Sequence, residues 1–161
     1  MAELLTAREL IERRTLGWGL RVEPLGGADY TRVDIALAAG ETPLVAGRAA
    51  LIQDLRLAFC TGRGTDPLNL AFGFDGARLI AEEEDRALLR ERLRAAAAIV
   101  VDADPRVSRV VDVQVGADPA LAARPDATAG DLVRERWITV TFDTLTGERV
   151  SVDLGSLDEN G

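Results

Sequence analysis

Residues 82–85 read Glu-Glu-Glu-Asp, four carboxylates in a row. A pair of carboxylates can hydrolyse a glycosidic bond when one has a raised pKa and the two face each other across a sugar. Adjacent acids at a helix start point in different directions, and their commoner work is to complement the positive end of the helix dipole. That second reading is preferred for Glu82 to Asp85. The stretch Thr61-Gly62-Arg63-Gly64-Thr65 has the glycines of a phosphate cradle but lacks the Lys-Ser/Thr ending and the preceding strand of a P-loop. A helix C-cap at Gly62 followed by a turn accounts for it better. Cys60 is the only cysteine, so no intrachain disulfide can form, and at a helix end it reads as a small buried apolar residue. Trp18 and Trp137 could stack on a sugar or a base, yet in a chain with 4% aromatics they read as core or interface anchors.

Composition removes most other chemistry. The chain has no histidine, so Ser-His-Asp and Cys-His arrangements are excluded and zinc loses its usual nitrogen ligand. Catalysis by carboxylates is the enzymatic option that survives, and neither a cofactor nor a metal is expected. All 19 basic residues are arginine, the better partner for bidentate carboxylate pairing. A net charge of −8 argues against nucleic acid as a nonspecific partner. No apolar run of about 18 residues is present, so no membrane span is expected. The opening MAELLTARELIERR is amphipathic and contains acids, unlike a signal peptide, which leads to the expectation of a soluble cytoplasmic protein. A length of 161 residues suits one domain with a short appendage.

The elements that must position these residues follow from periodicity. Residues 5–14 predict a helix capped by Thr6, with Leu5, Leu10 and Ile11 as its apolar face. Gly17, Gly19, Pro24, Gly26 and Gly27 mark a loop or linker, and residues 34–37 alternate like a short strand. A second helix is predicted over 48–60, then a turn-rich loop over 61–76. The clearest element is a helix over 82–100, with Leu89, Leu93, Ala96 and Val100 as its buried stripe. Asp104-Pro105-Arg106 ends it, because proline disfavours helical geometry at the residue before it. A strand follows with Val111, Val113 and Val115 on one face, then a loop over 116–130. Two strands around a turn at Thr144 to Gly147 close the chain, with Ile138, Val140 and Phe142 facing Val150, Val152 and Leu154. The predicted fold class is α+β: N-terminal helices and a long central helix packed on a small antiparallel C-terminal sheet. Such a sheet has edges that invite a strand from another chain.

The order of features carries a resemblance. QDLRLAFCTGRGTDPLNLAFGFDGARLI (53–80), AIVVDADPRVSRVVDVQV (98–115) and the Thr-Gly-Glu turn within 144–148 are co-linear with a family pattern. The chain resembles, over about 33–154, the short lysozyme-like wedge proteins of contractile phage-tail baseplates. That family includes the type VI secretion component TssE and counterparts in extracellular contractile injection systems. Asp104 stands where the family has the glutamate of Glu-Pro-Arg, one methylene longer. The resemblance implies a structural role rather than an enzymatic one. It implies a baseplate wedge subunit that joins the inner wedge and the spike or hub to the first sheath ring and shares strands with the sheath. Its partners would be other wedge proteins, the sheath protein and the spike or hub, in an assembly built in the cytoplasm and incorporated into a tail-like particle. It places Asp104, Pro105 and Arg106 at a corner that contacts a wedge partner, and Trp137, Thr139, Thr141, Val150 and Val152 on a sheath-facing sheet. Gly62, Pro67, Asn69, Phe72 and Gly73 belong to the loop it matches. The expected division is 1–32 as an adaptor helix and linker, 33–156 as the wedge domain and 157–161 as a tail. A carboxylate-dependent peptidoglycan hydrolase is the alternative.

Overall fold

The computed structural model describes residues 5–24, 33–37, 40–116 and 136–157. The loop predicted over 116–130 lies, from 117 on, outside the described residues. The fold is α+β, with a small antiparallel sheet at the C-terminal end. In chain order the elements are α1 (Ala7–Leu16), β1 (Trp18–Leu20), β2 (Val22–Pro24), β3 (Val33–Ile35), β4 (Leu44–Ala46), α2 (Arg48–Cys60), α3 (Gly76–Glu82), α4 (Arg86–Asp102), β5 (Val107–Gly116), β6 (Arg136–Thr144) and β7 (Arg149–Leu157).

The C-terminal sheet runs β5-β6-β7, antiparallel throughout. Ile138, Val140 and Phe142 of β6 and Val150, Val152 and Leu154 of β7 are buried, as period-two alternation predicts. Val140 faces Val152 and Phe142 faces Val150, so cross-strand pairs stack on the core side. Each such side chain contributes about 1.5–3 kcal/mol relative to exposure. The helix α4 packs on β5 and α2 touches β7, closing one core around Leu51, Leu55, Leu93, Val101 and Phe142.

Strand β5 corrects the expected alternation. Val107 and Val113 are buried, whereas Val111 is 41% exposed. Register shifts between Val107 and Arg109 and between Val110 and Asp112 are the reason. Each bulge adds a residue to one strand and inverts the phase of the side chains beyond it.

The central helix also differs from expectation. It begins at Arg86 behind the N-cap Asp85, whose carboxylate accepts from Ala87 N and Leu88 N at 2.8 and 3.1 Å. Glu82 instead ends α3, a helix not read from the sequence, and Glu83 is that helix's C-cap. The acidic run therefore spans the junction of two helices rather than one positive end. Within α4 the buried row is Leu89, Leu93, Ala97 and Val101. Ala96 and Val100 flank it half-buried, because the covered ridge follows the four-residue spacing.

The N-terminal layer is small and leaves much apolar surface exposed. Thr6 caps α1, as predicted, and does so in a capping box with Glu9 that the sequence reading did not include. Leu5, Leu10 and Ile11 are exposed, however, and Leu16 is the residue of α1 that enters the core. The predicted linker after it contains two strands: β1 pairs antiparallel with β4, and β2 with β3. These pairings cross the expected 32/33 division. Gln53 of α2 holds the junction, accepting from Val22 N at 2.9 Å and donating to Leu20 O at 2.8 Å.

Candidate functional site

The corner after α4 is built by Asp104. Its backbone carbonyl accepts from Val107 N at 3.0 Å, and its side chain accepts from Arg106 N at 2.9 Å, which turns the chain from helix to strand around Pro105. The Arg106 guanidinium then folds back over the same residue. Its Nε and Nη2 donate to the two Asp104 oxygens at 2.9 and 2.6 Å, a bidentate fork. Its Nη1 donates to Asp54 Oδ2 of α2 at 2.8 Å and to Leu16 O, at the end of α1, at 3.1 Å. Arg106 O accepts from Leu145 N of the β6–β7 turn at 2.9 Å. One residue thus joins α1, α2, the corner and the hairpin. The resemblance turned Arg106 outward to a partner, whereas its guanidinium is spent on neighbours within the chain. The shorter Asp104 fits this role, since its carboxylate reaches a backbone N–H two residues away.

Burial pushes the Asp104 carboxyl up. The Arg106 side-chain hydrogen bonds, its backbone N–H and its charge outweigh that and leave the pKa below the ordinary carboxylate value. Arg106 is raised in turn, chiefly by its hydrogen bonds to Asp104.

The loop over 61–74 is closed by backbone hydrogen bonds. Phe74 N donates to Thr61 O at 2.8 Å and Arg63 N to Phe74 O at 3.2 Å, around a bridge between Gly62 and Phe74. The C-cap of α2 is Thr61 rather than the expected Gly62; its hydroxyl donates to Leu57 O at 2.7 Å. Asp66 and Pro67 open a turn in which Asp66 Oδ1 accepts from Leu68 N at 2.8 Å. Gly73 has φ +102°, and a Cβ there would lie 2.6 Å from Thr61 O, so glycine is required. Phe74 is buried beside Phe59 with ring centroids 4.6 Å apart. Cys60, expected to be buried, is exposed.

These two regions, far apart in sequence, enclose one groove of about 550 Å³. Asn69, Ala71, Phe72 and Gly73 line it from the loop, Ile99 and Val100 from α4, and Asp104, Pro105 and Arg106 from the corner. Leu55, Leu57 and Ala58 of α2 add apolar surface, and Arg63 stands at the exposed margin. Gly62 and Pro67 shape the loop without lining the groove. Sequence reading missed Arg63, Ile99 and Asp54 as groove residues. A surface-facing isoleucine within an otherwise amphipathic helix was the one signal available for Ile99.

The residues expected on a sheath-facing sheet lie on two faces. Val150 and Val152 are buried in the core, while Trp137, Thr139 and Thr141 are half-buried on the opposite face with Ser151 and Asp153. Strict alternation forces this split, since odd and even positions of a strand point opposite ways. The indole Nε1 of Trp137 is buried and finds no acceptor among the described residues. Thr139 Oγ1 donates to Asp153 Oδ1 at 2.7 Å across the strands.

The sheet edges follow from the ladder. Thr144 N donates to Glu148 O at 2.9 Å, so the pairs 142/150 and 140/152 exchange bonds and the pairs 141/151 and 139/153 do not. The backbone groups of Ser151 and Asp153 therefore face away from β6, and by the same alternation Val113 of β5 faces away on the other side. Each outer strand has one such carbonyl taken by a helix arginine: Arg94 Nε donates to Val113 O at 2.9 Å, and Arg56 Nε to Asp153 O at 3.2 Å.

Two carboxylates of the acidic run are paired with arginines. Glu83 accepts from Arg92 at 3.1 Å, and Glu82 pairs with Arg78 at 3.2 Å. Among the described residues no group of three His, Cys, Asp or Glu side chains is placed to hold a metal ion, and no helix is long and apolar enough to cross a membrane. In comparisons with known proteins, no family model and no curated protein matches this chain.

Proposed function

We propose that this chain is a structural baseplate wedge subunit of a contractile tail or injection machine. In that role it links the inner wedge and the spike or hub to the first sheath ring and nucleates sheath assembly by strand sharing. It is assembled in the cytoplasm and carried into the tail-like particle. The observation that supports the reading best is the outer edge of β7. Over 149–153 its register with β6 is uninterrupted, and Ser151 and Asp153 turn their backbone groups outward. An extended strand of a sheath subunit would continue the ladder there. The opposite edge, β5, carries two bulges, which blunt an edge against pairing. An incoming strand has to displace Arg56 from Asp153 O.

The carboxylates weigh against the competing reading, hydrolysis of peptidoglycan. A general acid needs a raised pKa, whereas Asp104 at the groove is held below its ordinary value and Glu82 and Glu83 are paired with arginines. Purified protein is expected to release no reducing sugar from peptidoglycan. Activity that disappears in Glu82→Gln or Glu84→Gln would restore the enzyme.

Strand sharing is tested with Ser151→Pro. Proline removes an outward N–H and the exposed hydrogen bond that Ser151 Oγ accepts from Thr141 Oγ1 at 3.2 Å, but no backbone bond to β6, so the fold is expected to persist. Mixed with the sheath subunit of the same machine, the wild-type chain is expected to seed sheath polymers and the variant to lose seeding. Equal seeding by both would remove strand sharing from the proposal.

A further inference from the structure

We infer that the N-terminal β-ribbon, β1 and β2 against β4 and β3, carries a self-association surface, and that two copies of this chain pair through its apolar face. The inference goes beyond the proposed assembly role and does not rest on it.

Hydrogen bonds make β1 and β2 one continuous run. Gly47 N donates to Gly17 O, Arg21 N to Pro43 O and Ala36 N to Arg21 O, each at 2.9 Å, so the odd positions turn their backbone groups toward the partner strands. The even positions turn theirs the other way, and Val22 N and Leu20 O meet the Gln53 side chain there. Alternation then sets Trp18, Leu20, Val22 and Pro24 on one face of the ribbon. Their partners across the ladder are Ala46, Leu44, Ile35 and Val33, so this face carries apolar side chains throughout. The opposite face holds the charged Arg21, Glu23 and Asp34, together with Val45, buried in the strand that contacts α1 and α2.

The apolar face is open to water. Trp18 is 68% exposed, Leu44 53%, Ile35 47% and Leu20 44%. Together they leave about 400 Å² of largely apolar surface in solvent, a size that marks an interaction site. The outer face of the C-terminal sheet shows what this chain places on a sheet face left in water: Thr139, Thr141, Ser151 and Asp153. Charge decides between occupants. A foreign partner is selected largely by complementary charge, and the ribbon face offers none to read. A second copy brings the same uncharged face, so one two-fold pairing covers both. Stacked sheets lie about 10 Å apart, which sets Trp18 against apolar side chains of the other copy. Two such faces amount to about 800 Å², below the standard size of a stable complex, so the dimer is expected to be weak.

The test is sedimentation equilibrium of the full chain over about 1–300 µM, where a dimer with a dissociation constant of about 10–100 µM is expected to build up. Trp18→Gln and Leu44→Gln are each expected to weaken it at least about tenfold, and the double variant to stay monomeric. Both side chains are more than half exposed, so the variants are expected to keep the far-UV circular dichroism spectrum of the wild-type chain. Leu68→Gln removes a leucine that is more exposed still but lies outside the ribbon, and is expected to leave the dimer as it is. A chain that stays monomeric throughout overturns the inference. So does a dimer that the double variant leaves intact, or one that Leu68→Gln weakens as much. A dimer lost in Ser151→Pro but kept in Trp18→Gln would overturn it by placing self-association at β7. Binding of the monomer to phosphatidylcholine vesicles, lost in the double variant, would overturn it by assigning the face to lipid.

Discussion

Arg106 and Asp143 each sit at the centre of three linked arginine and aspartate side chains, and the two clusters do different work. Arg106 is 21% exposed and its partner Asp104 14%, and its contacts reach residues 52 and 90 positions away. Asp143 accepts from Arg109 at 2.6 Å and Arg149 at 2.8 Å, whose side chains are 66% and 58% exposed. All three lie on strands that the backbone ladder already joins. The first cluster ties together elements far apart in sequence, with limited water to compete. The second repeats connections already made, through arginines that lie largely in water although Asp143 itself is 19% exposed. The chemistry is the same, and burial with connectivity decides what it is worth.

Removing the hub is the largest way to break that comparison. Arg106→Ala strands two carboxylates and the Leu16 carbonyl, and is expected to cost about 2–3 kcal/mol in a urea melt, reduced from the fully buried case by residual solvent. Arg106→Lys keeps the charge without the fork and should fall between the two. Next comes the loop wall opposite the corner. Gly73→Ala is expected to cost about 1–2 kcal/mol, because a Cβ would meet Thr61 O at 2.6 Å and φ is +102°.

Acid separates the clusters by salt rather than by sign. Folding lowers the Asp104 carboxyl below its ordinary 3.8, so its contribution is present above that pH and is lost as pH falls through the folded value. Asp143 is held well below the ordinary range by Arg149 and then Arg109, and so changes in the same direction. Asp104→Asn should flatten the fall of stability below about pH 4, at low and at high salt alike. The smallest effect is expected for Asp143→Asn, a slight drop in melting temperature that disappears at 1 M salt, where screening acts within about 3 Å. A salt-insensitive loss in that variant would place Asp143 in the same class as Arg106.

Legibility tracked how local each signal was. The hairpin of β6 and β7 and the bounds of α2 were readable because alternation, helical period and turn residues lie next to one another in sequence. In β5 the two bulges broke the period, and the valine expected inside, Val111, went out. The strands of residues 18–24 were read as a loop because each is three residues long and finds its partner well downstream. The glutamates at 82 and 83 were assigned to one helix because a junction of two helices carries no composition of its own. At the candidate site the corner and the loop were each picked out, but their meeting was not. Arg63 drew attention only as part of a glycine-rich stretch.

The amino-acid sequence by itself determined the α+β class, the hydrophobic face of the C-terminal hairpin, the stop at Asp104-Pro105 and the exclusion of histidine chemistry. These depend on residue type and on spacings of a few positions. Only the tertiary structure decided that Arg106 turns inward to α1 and α2, that the 61–74 loop and the corner share one groove, and that Arg63 stands at its margin without a salt bridge among the described residues. An arginine's role depends on which carboxylates the fold brings within about 3 Å, and those partners came from helices whose place no local pattern encodes.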